Sequence, residues 1–87
     1  MNRGKYDILT DILAQSLYGA KKTHILFKCN LSHRQLTKYL NDLRAKHLIE
    51  QGDILWQTTD KGVDFLRHCQ KVIEMYELAG SDTGWST

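Results

Sequence analysis

The sequence predicts a mainly helical domain that carries one small β-hairpin. Apolar residues recur every three or four positions over most of the chain, as they do on the buried side of an amphipathic helix. Between residues 48 and 58 this spacing changes to alternation around a Gly-Asp dipeptide, which is typical of a short hairpin. Helical spacing then returns up to residue 79. We therefore expect three helices, a hairpin and a long fourth helix.

The first two helices are predicted from apolar spacing and from the residues at their ends. Residues 5–17 form the first, because Ile12 and its apolar neighbours at three- and four-residue intervals fall on one face. Residues 22–29 form the second, and Asn30 can adopt the left-handed conformation that ends a helix. Its buried side is expected to comprise Ile25, Leu26 and Cys29.

The third helix, predicted over residues 32–47, has the clearest start signal. Ser32 and Gln35 have the spacing of a capping box, in which each side chain bonds the backbone N–H of the other residue. The inward stripe is expected to be Leu36, Leu40, Leu43 and His47. The opposite, polar face holds Arg34, Lys38, Asn41 and Ala45.

The hairpin is predicted with strands at residues 48–51 and 54–58. A two-residue turn at residues 52–53 would join them, since Gly-Asp is a common pair in tight hairpin turns. In that register Ile49 faces Trp56, and both side chains lie over the helices.

The last helix, residues 60–79, is predicted to begin after a Thr59 cap and to mediate homodimerisation. Its apolar surface is wider than a domain of this size can cover. The expected seam, which has the a/d spacing of a coiled coil, is Leu66, Cys69, Ile73 and Tyr76. The chain accordingly divides into a domain at residues 1–59, this dimerisation helix at residues 60–79, and a flexible tail at residues 80–87.

Positive charge is concentrated around the third helix. Residues 21–47 hold seven Lys or Arg residues and one Asp, a net charge of +6, whereas the whole chain has +2. A helix, a tight turn, a second helix and a hairpin together outline a winged helix-turn-helix, which presents one helix to the major groove of DNA.

The candidate DNA contacts follow from this placement. Those expected to reach base edges or nearby phosphates are Arg34, Thr37, Lys38 and Asn41, since arginine and asparagine can bond guanine and adenine with two hydrogen bonds. Those expected at phosphates are Lys21, Lys22, Lys28, Arg44 and His33. For each, an ordinary solvated helix face is the alternative.

Composition argues against several other classes of protein. There is no 18-residue apolar run and no apolar stretch behind the basic start, so we expect no membrane segment and no secretory signal, and an intracellular, nucleoid-associated protein. No nucleophile–base arrangement or glycine-rich phosphate loop indicates an enzyme. His24, Cys29 and His33 lack a fourth ligand and match no zinc spacing, so no metal or cofactor is expected.

The chain resembles small archaeal winged-helix DNA-binding proteins that dimerise through a long C-terminal helix in an antiparallel coiled coil. The resemblance is carried by Lys22-Thr23, Asn30-Leu31-Ser32, Tyr39-Leu40, Leu43, Leu48-Ile49, Thr59-x-Lys61-Gly62 and Phe65-Leu66. It implies a homodimer on duplex DNA, either a transcription regulator or a general chromatin component. This chain departs from the family at Trp56, where tyrosine is more usual, and in the acidic residues Glu50 and Asp53 of its hairpin.

Two alternatives to a transcription regulator remain from the sequence. One is a non-specific architectural DNA binder, which differs in its ratio of specific to random-sequence affinity. The other is a protein–protein interaction module, because a winged-helix fold does not fix its use. The cationic segment at residues 21–47 favours DNA over the second alternative.

Overall fold

The computed structural model describes residues 4–81, which form four α-helices and one two-stranded antiparallel sheet. In chain order the elements are α1 (Lys5–Gln15), α2 (Lys22–Cys29), α3 (His33–Ala45), β1 (Ile49–Gln51), β2 (Trp56–Thr58) and α4 (Asp60–Ser81). The predicted fold class is confirmed. Within the described range, no helix has both the length and the apolar character that a membrane span requires.

The core lies where α1, α3, the hairpin and the first half of α4 meet. Leu36, Leu40 and Leu43 of α3 are almost fully buried, as the stripe predicts. They pack with Ile12 and Leu13 of α1 in one cluster. Each buried leucine or isoleucine contributes about 1.5–3 kcal/mol through removal of apolar surface from water. This cluster fixes which face of α3 remains outside.

Both α2 and α3 end in a left-handed residue that is not glycine. Asn30 ends α2 with a φ of 53°, as predicted. At the end of α3, His47 has a φ of 61°, its N–H donates to the Arg44 carbonyl at 3.0 Å, and the Leu48 N–H donates to the Leu43 carbonyl at 2.9 Å. These two bonds are those of a Schellman motif, which satisfies the last carbonyls of a helix.

The prediction that His47 belongs to the inward arc of the third helix is therefore wrong. The helix ends at Ala45, and His47 is exposed. The left-handed turn reverses the chain so that Leu48, and not His47, enters the core.

The first helix is shorter than the predicted residues 5–17. It ends at Gln15, and the buried Ser16 begins a turn. The Ser16 hydroxyl donates to the Ile12 carbonyl at 2.8 Å, and the Ser16 carbonyl accepts the N–H of Thr58 at 2.9 Å. The Ser16 carbonyl also accepts the Gly19 N–H at 3.1 Å in a turn, and the Ala20 N–H, which would continue the helix, donates to the Trp56 carbonyl at 2.9 Å.

The hairpin has a longer loop than predicted, and the expected pairing of Ile49 with Trp56 is wrong. Ile49 lies opposite Thr58, and Gln51 lies opposite Trp56. Residues 52–55 form the loop, closed by a bond of 2.8 Å from the Gly52 N–H to the Leu55 carbonyl. Ile49 and Trp56 are nevertheless both buried, because a shift of two residues leaves every side chain on its original face. We refer to residues 49–58 as the wing.

The helix α4 begins at a cap that also ties it to the end of α3. The Thr59 hydroxyl accepts the Gly62 N–H at 3.0 Å and donates to the His47 carbonyl at 2.7 Å, so the predicted Thr59 cap is confirmed. The helix extends to Ser81, two residues beyond the predicted end. The remainder of the predicted tail, residues 82–87, lies outside the described residues.

Candidate nucleic-acid interface

The outward face of α3 is exposed and cationic. Arg34, Lys38 and Asn41 are all exposed, whereas the leucine stripe on the opposite side is buried. The helix is held at its start by the Ser32 hydroxyl, which accepts the Gln35 N–H at 3.1 Å, and by the Gln35 side-chain oxygen, which accepts the Ser32 N–H at 3.0 Å. A fixed helix with this face is suited to enter a groove of duplex DNA.

Thr37 and Lys22 bind each other on one flank of this face. The Lys22 ammonium donates to the Thr37 hydroxyl at 2.9 Å, and that hydroxyl donates to the His33 carbonyl at 2.9 Å. The Thr37 hydroxyl hydrogen is thus used within the protein. Lys22 instead presents a cation from α2 beside α3.

Arg44 points toward the wing. Its Nη1 donates to the Gln51 side-chain oxygen at 2.9 Å, and its guanidinium carbon lies 6.0 Å from the centre of the Trp56 ring, within the range of a cation–π contact. Arg44 therefore links the end of α3 to β1 and β2 while remaining exposed to solvent.

The remaining predicted phosphate contacts lie at helix ends. Lys21 is the exposed residue immediately before α2, and His33 is the exposed first residue of α3. Lys28 is exposed in the last turn of α2, where a positive charge also complements the helix dipole. All nine predicted DNA-contacting residues thus lie on α2 or α3 or at their ends.

An open depression of about 610 Å³ lies on the other flank of α3. It is lined by Lys5, Lys38, Tyr39, Asn41 and Asp42. Lys46 donates to the Asp42 carboxylate at 2.7 Å, and this bond lowers the pKa of Asp42 from its ordinary value; the charges of Lys5 and Lys38 act in the same direction, whereas burial opposes them. Lys5 is 33 positions from Lys38, so no sequence pattern could have joined it to the site.

The wing does not extend the cationic face. Residues 49–58 contain Glu50 and Asp53 and no lysine or arginine. Ile54 and Leu55 in its loop are exposed apolar side chains, with Ile54 at 71%. This composition is unfavourable for contacts between the wing and phosphates.

The four residues predicted to form the dimer seam on α4 differ widely in burial. Leu66 is 4% exposed and packs in the core of its own domain, so its assignment to a partner surface is wrong. Cys69 and Ile73 are half-buried, and Tyr76 is 79% exposed. At 100° per residue, the exposed apolar stripe is instead centred on Val72, with Met75 and Tyr76 beside it.

An apolar groove of about 280 Å³ borders this stripe. It is lined by Tyr6, Phe65, His68, Cys69, Val72 and Ile73. Burial raises the pKa of the Cys69 thiol, which keeps this cysteine neutral and apolar in character. Among residues 4–81, no three His, Cys, Asp or Glu side chains are grouped as they would be to hold a metal ion.

Comparison with known proteins places these features in a recurrent fold. A family model described as winged helix-turn-helix matches residues 2–77. A crystal structure of Sso10a-2, a DNA-binding protein from Sulfolobus solfataricus, is similar with a TM-score of 0.83 at 23% identity, over 91% of this chain and 87% of that one. No curated protein matches the sequence.

Two structures of ZitR from Lactococcus lactis are also similar. The protein alone has a TM-score of 0.60 at 23% identity, covering 94% of this chain and 66% of ZitR. The complex of ZitR with DNA has a TM-score of 0.58 at 21% identity, covering 94% of this chain and 64% of ZitR. At these identities the likeness concerns the fold.

Proposed function

Because this chain belongs to the winged helix-turn-helix family, we propose that it binds double-stranded DNA as a homodimer and regulates transcription. The observation that carries the proposal is the exposed face of α3, where Arg34, Lys38 and Asn41 stand opposite a buried leucine stripe. The similar structures support it, since Sso10a-2 is a DNA-binding protein and ZitR has been determined in complex with DNA.

In this proposal α3 lies in the major groove. Arg34 and Asn41 have side chains that can form paired hydrogen bonds with guanine and adenine respectively. Lys22 and Arg44, held by Thr37 and Gln51, lie to the sides of the helix, where they can contact phosphates. The protein acts inside the cell, on the nucleoid, and its role is binding and not catalysis.

The proposal of a homodimer is based on the exposed apolar surface of α4. Val72, Met75 and Tyr76 are each at least 59% exposed, and the groove beside them is almost wholly apolar. An apolar stripe of this kind on a protruding helix is typical of an association surface. Two protomers related by a two-fold axis would present two copies of α3 to one duplex.

The DNA-binding part of the proposal is tested by fluorescence anisotropy with a labelled random-sequence duplex and with duplexes selected from a random pool. Arg34→Ala should weaken binding to a selected duplex by about 1–3 kcal/mol for each α3 in a groove, which is about 5- to 150-fold per protomer. Lys71→Ala, which removes an exposed lysine from α4, is the control and should have little effect. An unchanged affinity for Arg34→Ala contradicts the placement of α3.

Selection also distinguishes the alternatives. An enriched inverted repeat supports a dimeric regulator, whereas uniform affinity for all sequences favours an architectural DNA binder. Absence of binding even at low salt favours a protein–protein interaction module.

The dimer is tested by sedimentation at micromolar concentration. Val72→Asp should shift the protein toward a monomer, because it buries an unpaired charge in the proposed interface. Gln70→Asp adds a carboxylate to the same helix about 160° away and should leave the mass unchanged. A wild-type monomer contradicts this part of the proposal.

A further inference from the structure

The two flanks of α3 each carry a lysine that comes from a different helix. Successive residues of a helix differ by about 100°, so Thr37 and Tyr39 lie on either side of the direction in which Lys38 points. Lys22 of α2 contacts Thr37 at 2.9 Å. On the opposite flank, Lys5 of α1 and Tyr39 line the same depression. The outward face of α3 is therefore bordered by one cation on each side.

The depression on the Lys5 side has the chemistry of an anion contact. Lys5 and Lys38 supply positive charge, and the Tyr39 hydroxyl supplies a neutral hydrogen-bond donor. The one carboxylate of its lining, Asp42, is already held by Lys46 at 2.7 Å. The charge that remains across the lining is positive, so a phosphate oxygen would meet several donors at once.

Lys5 also occupies a position where a lysine does not favour the helix. It is the first residue of α1, and the positive end of a helix dipole disfavours a cation in the first turn by about 0.3–1 kcal/mol. Asp7, whose carboxylate accepts the Gly4 N–H at 3.0 Å, already supplies the negative charge that this helix start favours. The charge of Lys5 thus acts unfavourably on its own helix start and favourably on Asp42, and its side chain lines the depression where an anion would meet it.

We propose that Lys5, Lys38 and Tyr39, which line this depression, bind a backbone phosphodiester of the DNA strand opposite to the one that Lys22 contacts. The proposal rests on the proposed function, because it requires α3 to lie in the major groove. That groove is about 12 Å wide and has a phosphodiester backbone along each edge. The first turn of α1 thereby becomes part of the DNA interface.

The test is the salt dependence of DNA affinity for Lys5→Gln, measured by anisotropy with one selected and one random duplex. Each lost phosphate contact reduces the steepness of log K against log salt by about 0.9. Because the dimer loses two such contacts, the slope should change by about 1.8, and the deficit in affinity should be about 12-fold smaller at 200 mM than at 50 mM salt. The deficit should be the same for both duplexes, since a phosphate carries no sequence information.

Two control variants distinguish an effect of position 5 from a general effect of losing one positive charge. Lys71→Gln removes the same charge from an exposed site on α4 and should change the slope little. Lys5→Arg keeps the charge and should retain most of the affinity. Thermal melting and sedimentation of each variant establish that fold and mass are unchanged.

The outcomes separate this proposal from the proposed function. If the wild type binds DNA and Lys5→Gln behaves as Lys71→Gln does, the contact is overturned while DNA binding by α3 stands. A deficit that differs between the two duplexes, or that accompanies a change in mass, also overturns it. If the wild type binds no duplex at low salt, the proposed function itself fails and this contact fails with it.

Discussion

Replacing Gly62 by alanine should destabilise the protein strongly, although alanine is the better helix former. Gly62 is buried in the first turn of α4. A methyl group added there would overlap the carbonyl oxygen of Leu48 and would lie 2.7 Å from the Cγ2 atom of Thr58. The overlap is with backbone, so no change of side-chain rotamer can relieve it.

The size of the effect follows from three terms. Alanine in place of glycine favours a helix by up to about 1 kcal/mol. Against this, overpacking of a close-packed site costs about 1–3 kcal/mol. The Leu48 carbonyl also accepts the Thr59 N–H at 3.1 Å, so moving it loses a hydrogen bond worth about 1 kcal/mol. The net loss in the free energy of unfolding is therefore about 1–3 kcal/mol.

Thermal and urea unfolding followed by circular dichroism measure this loss. For a domain of this size, about 1–3 kcal/mol corresponds to a fall in melting temperature of about 5–25 °C. Lys71→Ala, at an exposed position of the same helix, should change the free energy by less than about 0.5 kcal/mol. An unchanged or higher melting temperature for Gly62→Ala would refute the close approach of α4 to Leu48.

Three further predictions concern helix ends and pH. Ser32→Ala should lower the free energy of unfolding, measured by urea titration, by about 1 kcal/mol because α3 loses its capping oxygen. Ser32→Asp keeps a capping oxygen and should retain most of the wild-type stability, so equal losses for the two variants would contradict the cap. His47→Gly should raise the melting temperature, since glycine adopts a φ of 61° without strain, and a lower value contradicts this reasoning. Lys46 lowers the pKa of Asp42 in the folded protein below its ordinary value of 3.8. The ionised Asp42 carboxylate therefore stabilises the fold above pH 3.8, and this stabilisation is lost as the pH falls through the pKa of the folded state. Urea midpoints of the wild type should therefore fall relative to those of Asp42→Asn as the pH drops below 3.8, and parallel curves for the two proteins would show that the pair does not contribute.

The features that the sequence predicts correctly depend on residues close to one another in the chain. Ser32 and Gln35 are three positions apart, and the leucine stripe of α3 repeats within one helix. The exposed face with Arg34 and Lys38 follows from the same periodicity. Local rules of this kind need no knowledge of the rest of the fold.

The hairpin register depends on a distant contact and could not be predicted. Gly52-Asp53 favours a two-residue turn. In the structure, however, the N–H and carbonyl of Trp56 pair with the carbonyl and N–H of Ala20 at 2.8 and 2.9 Å. This pairing fixes where β2 begins, and the longer loop follows from it.

The end of α3 and the packing of α4 differ from prediction for related reasons. His47 takes a left-handed conformation for which glycine is the usual residue, so the sequence lacks the ordinary stop signal. On α4, two apolar stripes lie about 90° apart, and spacing alone cannot say which one faces the domain. Leu66 belongs to the inner stripe, and Val72 belongs to the outer one.

The contact between Arg44 and Trp56 makes Trp56 an intrinsic fluorescence probe of DNA binding. The indole of Trp56 is 7% exposed, and the guanidinium lies 6.0 Å from its centre. A phosphate that draws Arg44 toward DNA would change the electric field at the indole and hence its fluorescence emission. With Trp85 replaced by phenylalanine, Trp56 is the sole tryptophan of the chain, and an unlabelled duplex can be titrated against its emission directly.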